Sequence, residues 1–190
     1  MAYTEVTPSR LAARGVARRY FDVELDQLEY EKDVAASLAA FCKNIGANLA
    51  AGKGLFLYGP NGTGKTSAAV CVIKAAMRAG YVAQMYPWPT LLADHTAGWR
   101  DPDARSAFLE ATHHVDLLVI DDLGKELGAG KELSVSVLDS ILRYRSSAMR
   151  STILTTNAVV AQIREVYGSS VASLLNGSVE QLLIEGEDRR

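Results

Sequence analysis

Residues 59–66 read Gly-Pro-Asn-Gly-Thr-Gly-Lys-Thr and fill every fixed position of the pattern G-x-x-x-x-G-K-[ST]. A loop of this composition holds phosphate. Gly59, Gly62 and Gly64 permit the positive φ angles that turn successive N–H groups toward an anion, with Pro60, Asn61 and Thr63 completing the cradle. Lys65 brings a positive charge to the β- and γ-phosphates of a nucleoside triphosphate, and the hydroxyl of Thr66 is placed to ligate magnesium. A glycine-rich turn with a chance lysine would explain the bend but not the Lys-Thr pair at its end.

Two further runs carry chemistry. Residues 115–122, Val-Asp-Leu-Leu-Val-Ile-Asp-Asp, place four large aliphatics between acids, the pattern of a strand buried on both faces that delivers carboxylates at its C-terminal end. Asp121 is then set to hold magnesium, and Asp122 to orient or deprotonate an attacking water. Adjacent acids after a strand also serve as helix caps or turn formers. Residues 151–157, Ser-Thr-Ile-Leu-Thr-Thr-Asn, read as a β-branched strand ending in an amide.

These residues need a scaffold of alternating strands and helices. A short apolar strand at residues 55–58 hands over to the phosphate loop, and the following helix runs through Ala68, Val72 and Ala76 toward Gly80, its dipole aimed at the phosphates. Ahead of that strand Leu28, Val34, Leu38, Phe41, Ile45 and Leu49 recur at helical spacing, which predicts one helix ended by Gly52 and Gly54. Residues 81–86 form a second strand, followed by a short helix through Leu91 and Leu92. Residues 95–105, with Gly98, Trp99 and Pro102, read as an exposed loop before a helix around Phe108. Trp99 is a candidate to stack on a base, with packing against its own domain the more ordinary reading. The whole predicts an α/β domain with a largely parallel sheet.

Composition narrows the setting. The chain has 190 residues, 48% hydrophobic, which suits one domain with a sizeable core. A net charge of −2 gives no global attraction to nucleic acid, so any DNA contact rests on local patches. Arg10, Arg14, Arg18 and Arg19 make residues 1–19 a basic segment, compatible with a transit peptide, a docking arm, a DNA contact or a solvated face. Cys42 and Cys71 fall inside apolar helical patterns and read as reduced core thiols, and no Cys/His cluster has metal-ligand spacing. No stretch spans a bilayer and no secretory signal opens the chain, so a cytoplasmic protein without membrane contact is expected.

Taken in order, Leu-Tyr-Gly-Pro-Asn-Gly-Thr-Gly-Lys-Thr, Asp-Leu-Leu-Val-Ile-Asp-Asp-Leu-Gly and Thr-Ile-Leu-Thr-Thr-Asn resemble the AAA+ ATPases of the DnaC/DnaI helicase-loader and IstB type. The resemblance covers residues 20–190 and includes the helix at 133–145 with Arg143 and Tyr144. It implies a P-loop NTPase fold with an AAA+ core, a mostly parallel central sheet flanked by helices and no substantial C-terminal lid. It implies ATP and Mg²⁺ as ligands and ATP hydrolysis in DNA replication, with a replicative helicase as partner, or a transposase in the IstB alternative. Single-stranded DNA and an ATP-dependent homo-oligomer follow in the same way. Asn157 matches sensor 1, with Thr156 beside it at the nucleotide, and the closing Gly-Glu-Asp-Arg-Arg resembles the motif whose final arginine, Arg190 or else Arg189, reaches the γ-phosphate.

The chain departs from that pattern twice. Where relatives carry an arginine that reaches the neighbouring subunit's ATP, residues 168–175 have none, which points to slow turnover and leaves Arg164 as a substitute candidate. A nucleotide-gated interaction module with little turnover is therefore a further alternative. The N-terminal helicase-binding domain of the longer loaders is likewise not expected, which leaves that task to the basic first segment. For DNA, Arg143 and Arg150 are seven positions apart and share a helix face if the helix extends that far, and Lys125 and Lys131 flank a loop that Glu126 and Glu132 neutralise.

Overall fold

The computed structural model describes residues 4–124 and 131–186. Five strands, β1 (Gly54–Tyr58), β2 (Ala83–Pro87), β3 (Leu117–Leu123), β4 (Ser151–Thr156) and β5 (Val179–Leu183), lie in the order β2-β3-β4-β1-β5, and every neighbouring pair is parallel. The helices are α1 (Pro8–Ala13), α2 (Lys32–Lys43), α3 (Ile45–Ala50), α4 (Lys65–Arg78), α5 (Trp88–Ala97), α6 (Pro102–Leu109), α7 (Lys131–Ser147) and α8 (Val160–Ser178). They cover both faces of the sheet, as parallel strands require. Among the described residues no lid domain follows the sheet, and no helix is long and apolar enough to cross a membrane.

Strand alternation divides the core into two layers. Leu55, Leu57, Leu117, Val119 and Ile153 pack with Leu38, Phe41, Ala69 and Ile73 of α2 and α4 on one face. Phe56, Leu118, Ile120 and Leu154 pack with Trp88, Leu138, Ile141 and Tyr167 on the other. Because all five strands run the same way, their C-terminal ends share one rim of the sheet, where ligands bind in open α/β folds.

Three expectations are corrected. The single helix predicted over residues 28–49 is two, split at Asn44, whose φ of −101° and ψ of 25° end α2, while its side chain donates to the carbonyl of Ala40 at 3.0 Å. Leu28 lies ahead of α2, and Gly54 opens β1. The exposed loop predicted over residues 95–105 shrinks to four residues, because α5 continues through Ala97 and α6 starts at Pro102. Asp101 caps α6 by accepting from the amide of Asp103 at 2.9 Å, and proline favours the first helical position. Arg143 and Arg150 do not share a helix face, since α7 ends at Ser147. Arg143 pairs with Asp139 at 2.6 Å, and Arg150 with Asp116 at 3.3 Å.

The basic segment packs on the sheet. Leu11 and Val16 are buried in the first core layer, and the amide of Met85 on edge strand β2 donates to the carbonyl of Arg14 at 2.9 Å. Further along, Glu24 bridges the ammonium of Lys74, at 3.0 Å, and the guanidinium of Arg78, at 2.8 Å, pinning this stretch to α4. Trp99 is 67% exposed and meets His95 edge-on, its indole N–H donating to that ring at 3.4 Å. Cys71 is buried and Cys42 half-buried, and burial pushes their thiols up to about 12 and about 11.

Candidate nucleotide site

The phosphate loop joins the end of β1 to the first turn of α4, at the rim where the strands end. Gly59, Gly62 and Gly64 have φ of 140°, 78° and 97°, the region that favours glycine. At Gly59 the need is also steric, because a Cβ there would sit 2.2 Å from the carbonyl oxygen of Ile184. That contact follows from β5, which continues past Leu183 to donate the Ile184 amide to the carbonyl of Tyr58 at 2.7 Å. The other flank is held by Tyr30, whose hydroxyl donates to the carbonyl of Gly64 at 2.8 Å. Inside the loop the hydroxyl of Thr63 donates to the carbonyl of Pro60 at 3.0 Å. The Lys65 ammonium, only 7% exposed, donates to the carbonyls of Gly59, at 2.9 Å, and Pro60, which fixes a positive charge within the loop.

The acids of β3 arrive beside this loop. The hydroxyl of Thr66 donates to Oδ1 of Asp121 at 2.9 Å. The pairing of β3 with β4 shifts register between Ile120 and Leu123, so Asp121 and Asp122 sit in the irregularity, and Asp122 has a φ of 66°. Asn157 donates from its side-chain amide to Oδ1 of Asp122 at 3.4 Å. The structure thus brings Lys65, Thr66, Asp121, Asp122 and Asn157 together on one rim. A hydroxyl and a carboxylate oxygen at this separation are hard oxygen donors of the kind Mg²⁺ takes.

Thr156 lies on the other side of β4. Its buried hydroxyl donates to the carbonyl of Leu123 at 2.7 Å and accepts from the amide of Ala158 at 3.0 Å, so it ties the strand ends together. The residue beside the carboxylates is Thr155, whose hydroxyl donates to Oδ1 of Asp121 at 2.6 Å and accepts the amide of Asp122 at 2.9 Å. Strand alternation carried the signal, since residues 153, 155 and 157 share a face and 154 and 156 the opposite one. Tyr30 had no sequence signal, because its contact with Gly64 spans 34 positions.

The candidate arginines are scattered. Arg190 and Arg189 lie outside the described residues, as do Lys125 and Glu126. Described residues continue past Ile184, beside the phosphate loop, to Gly186. Arg164 is exposed on α8, which is broken at Gly168 with a φ of 82°. Arg10, Arg18 and Arg19 are exposed, Arg19 stacking over Tyr20 at 4.7 Å.

The fold has counterparts among solved structures. The crystal structure of the DnaC helicase loader superposes with a TM-score of 0.78 at 26% identity, covering 89% of this chain and 100% of that one. The crystal structure of DnaI gives 0.72 at 21% identity, covering 92% of this chain and 94% of that one. The replication initiator DnaA bound to AMPPCP and single-stranded DNA gives 0.72 at 18% identity, covering 87% of this chain and 50% of that one. Among curated protein sequences none matches this chain. The model of the IstB-like ATP binding protein family matches residues 26–179, and the chain belongs to that family.

Proposed function

We propose that the protein is a magnesium-dependent ATPase that acts in DNA replication as a helicase loader. The observation that carries the hydrolytic part is the hydrogen-bonded series linking Thr66 to Asp121 and Asn157 to Asp122, set against the loop that holds Lys65. Lys65 and the loop amides bind the β- and γ-phosphates, Asp122 takes the proton of the attacking water, and Asn157 holds that carboxylate and the water in place. Thr66 and Asp121 would hold Mg²⁺, which when bound neutralises charge on the phosphates. The resemblance to the loaders assigns the γ-phosphate contact to Arg190, which lies outside the described residues.

The loader role rests on the likeness to DnaC, which extends over the whole of that structure. The IstB-type alternative, a transposition helper, is favoured by the family match itself. Co-purification with the replicative helicase or with a transposase, with and without ATP, separates the two. Capture of the transposase alone contradicts the loader reading.

DNA contact and ATP-dependent self-association belong to the same proposal. Arg10, Arg14, Arg18 and Arg19 put four positive charges on a segment of a chain whose net charge is −2, a local patch suited to phosphate. Replacing all four by alanine should weaken binding to single-stranded DNA and flatten its salt dependence. Unchanged binding moves the DNA contact elsewhere.

A further inference from the structure

We propose that Thr155 is the positioning residue that sets both acids of the site at once, an inference that rests on the reading of Asp121 and Asp122 as the magnesium and water-activating carboxylates. A hydroxyl carries one proton and two lone pairs. In Thr155 the proton goes to Oδ1 of Asp121 at 2.6 Å, and a lone pair receives the amide of Asp122 at 2.9 Å. Thr155 is 2% exposed, which shields its hydroxyl from solvent, while the two acids that it bonds are half-buried. One rigid β-branched residue on β4 therefore fixes the carboxylate of one acid and the backbone of the next.

The backbone bond matters because of where Asp122 sits. The β3–β4 register slips between Ile120 and Leu123, and within that slip Asp122 adopts a φ of 66°, which a residue other than glycine rarely takes. A half-buried amide in a disrupted ladder still gains from a partner. The Thr155 hydroxyl supplies it, and the left-handed conformation then directs the Asp122 carboxylate to Asn157, 3.4 Å away. On the other acid, Oδ1 of Asp121 accepts from both Thr155 and Thr66, which sets the carboxylate toward the first turn of α4. Thr155 thus acts through these two neighbours.

The test uses the full chain with Thr155→Val, which keeps the shape and removes both bonds, and Thr155→Ser, which keeps the hydroxyl. Binding of a fluorescent ATP analogue is titrated in EDTA and against Mg²⁺, alongside steady-state turnover. Thr155→Val should leave affinity in EDTA within about twofold, while the Mg²⁺ needed for half-maximal tight binding rises and kcat falls, each by about 10–100-fold, the usual effect of losing a group that orients a metal ligand. Thr155→Ser should restore both to within about threefold of wild type, since the two bonds return. Wild-type Mg²⁺ dependence in Thr155→Val, or equal losses in both variants, overturns the inference. Where Thr155→Val loses nucleotide affinity in EDTA as well, Thr155→Ser against Thr155→Ala decides: a wild-type serine variant and an impaired alanine variant support the role, and equal impairment removes it. Asp121→Asn separates the inference from its premise. If that change also leaves Mg²⁺ dependence untouched, the reading of the acids fails; if it abolishes Mg²⁺ dependence and Thr155→Val does not, the Thr155 role alone fails.

Discussion

The hydroxyl of Thr66 donates to Oδ1 of Asp121 across 2.9 Å, joining residues 55 positions apart in the chain. Neither residue could reach the other without the sheet. Thr66 opens α4 directly after β1, Asp121 ends the buried run of β3, and β4 lies between those two strands. The fold therefore sets the spacing of two hard oxygen donors beside the phosphate loop.

Asp122 and Asn157 are expected to act on turnover and not on binding. Asp122→Asn and Asn157→Ala should each lower kcat on the order of a hundredfold or more, the usual scale for losing general-base assistance. The KM for ATP should stay within a few-fold of wild type. Phosphate release measured at saturating ATP checks this, and an unchanged kcat in Asp122→Asn removes it from the proton-accepting role.

Gly59 and Gly80 separate strain from collision. Both have positive φ, 140° and 86°, but a Cβ at Gly80 meets nothing within 4 Å, whereas one at Gly59 meets the Ile184 carbonyl at 2.2 Å. Gly80→Ala should cost about 1 kcal/mol of stability and leave ATP affinity intact. Gly59→Ala should cost more, about 2–4 kcal/mol, because the β5 backbone must shift, and it should weaken ATP binding as well. Denaturant midpoints for the two variants give the comparison, and equal costs would show that the end of β5 yields freely.

The phosphate loop, the acids of β3 and the amide after β4 were readable from residue types because each motif is local and sits where a strand ends. The placement of Thr155 was not, although alternation along β4 pointed to it, because its role depends on the register slip at Asp121 and Asp122. The same limit applies to Asn44, where one apolar period runs through two helices. Arg145 shows it from another side. No motif singles it out, yet it is fully buried and donates to the carbonyls of Thr112, Val115, Asp116 and Ser151 and to the hydroxyl of Thr152. Those acceptors come from segments that meet only in the fold.

Arg145 is accordingly expected to matter for folding. Burial pushes its guanidinium down to about 9, so it stays charged at neutral pH, and its planar fork serves five acceptors at once. Arg145→Met should cost about 3–5 kcal/mol by orphaning those carbonyls, and Arg145→Lys should recover little of it because an ammonium cannot match the fork. Thermal unfolding of the two variants tests this, and full recovery by lysine contradicts it.

Glu24 gives stability a pH dependence. The hydrogen bond from Arg78, with Lys74 adding to it against the cost of burial, holds its carboxyl below its ordinary value of 4.5. A depressed carboxyl contributes stability above its unfolded pKa and loses it as pH falls through the folded value. Glu24→Gln should cost about 1–2 kcal/mol at pH 7, less than a fully buried pair because the carboxylate is partly solvated. The difference from wild type should shrink as the pH is lowered from 4.5. Urea midpoints at neutral and acid pH read it, and a difference independent of pH contradicts the ion-pair account.

The central claim is that residues 59–66 hold the phosphates of ATP through Lys65. Titration of ATP into wild-type and Lys65→Ala proteins tests it most directly, with circular dichroism to confirm that both are folded. Lys65→Ala should weaken binding on the order of a hundredfold, as loss of a charge-assisted contact to phosphate implies. Binding as tight as wild type by the folded variant would contradict the account.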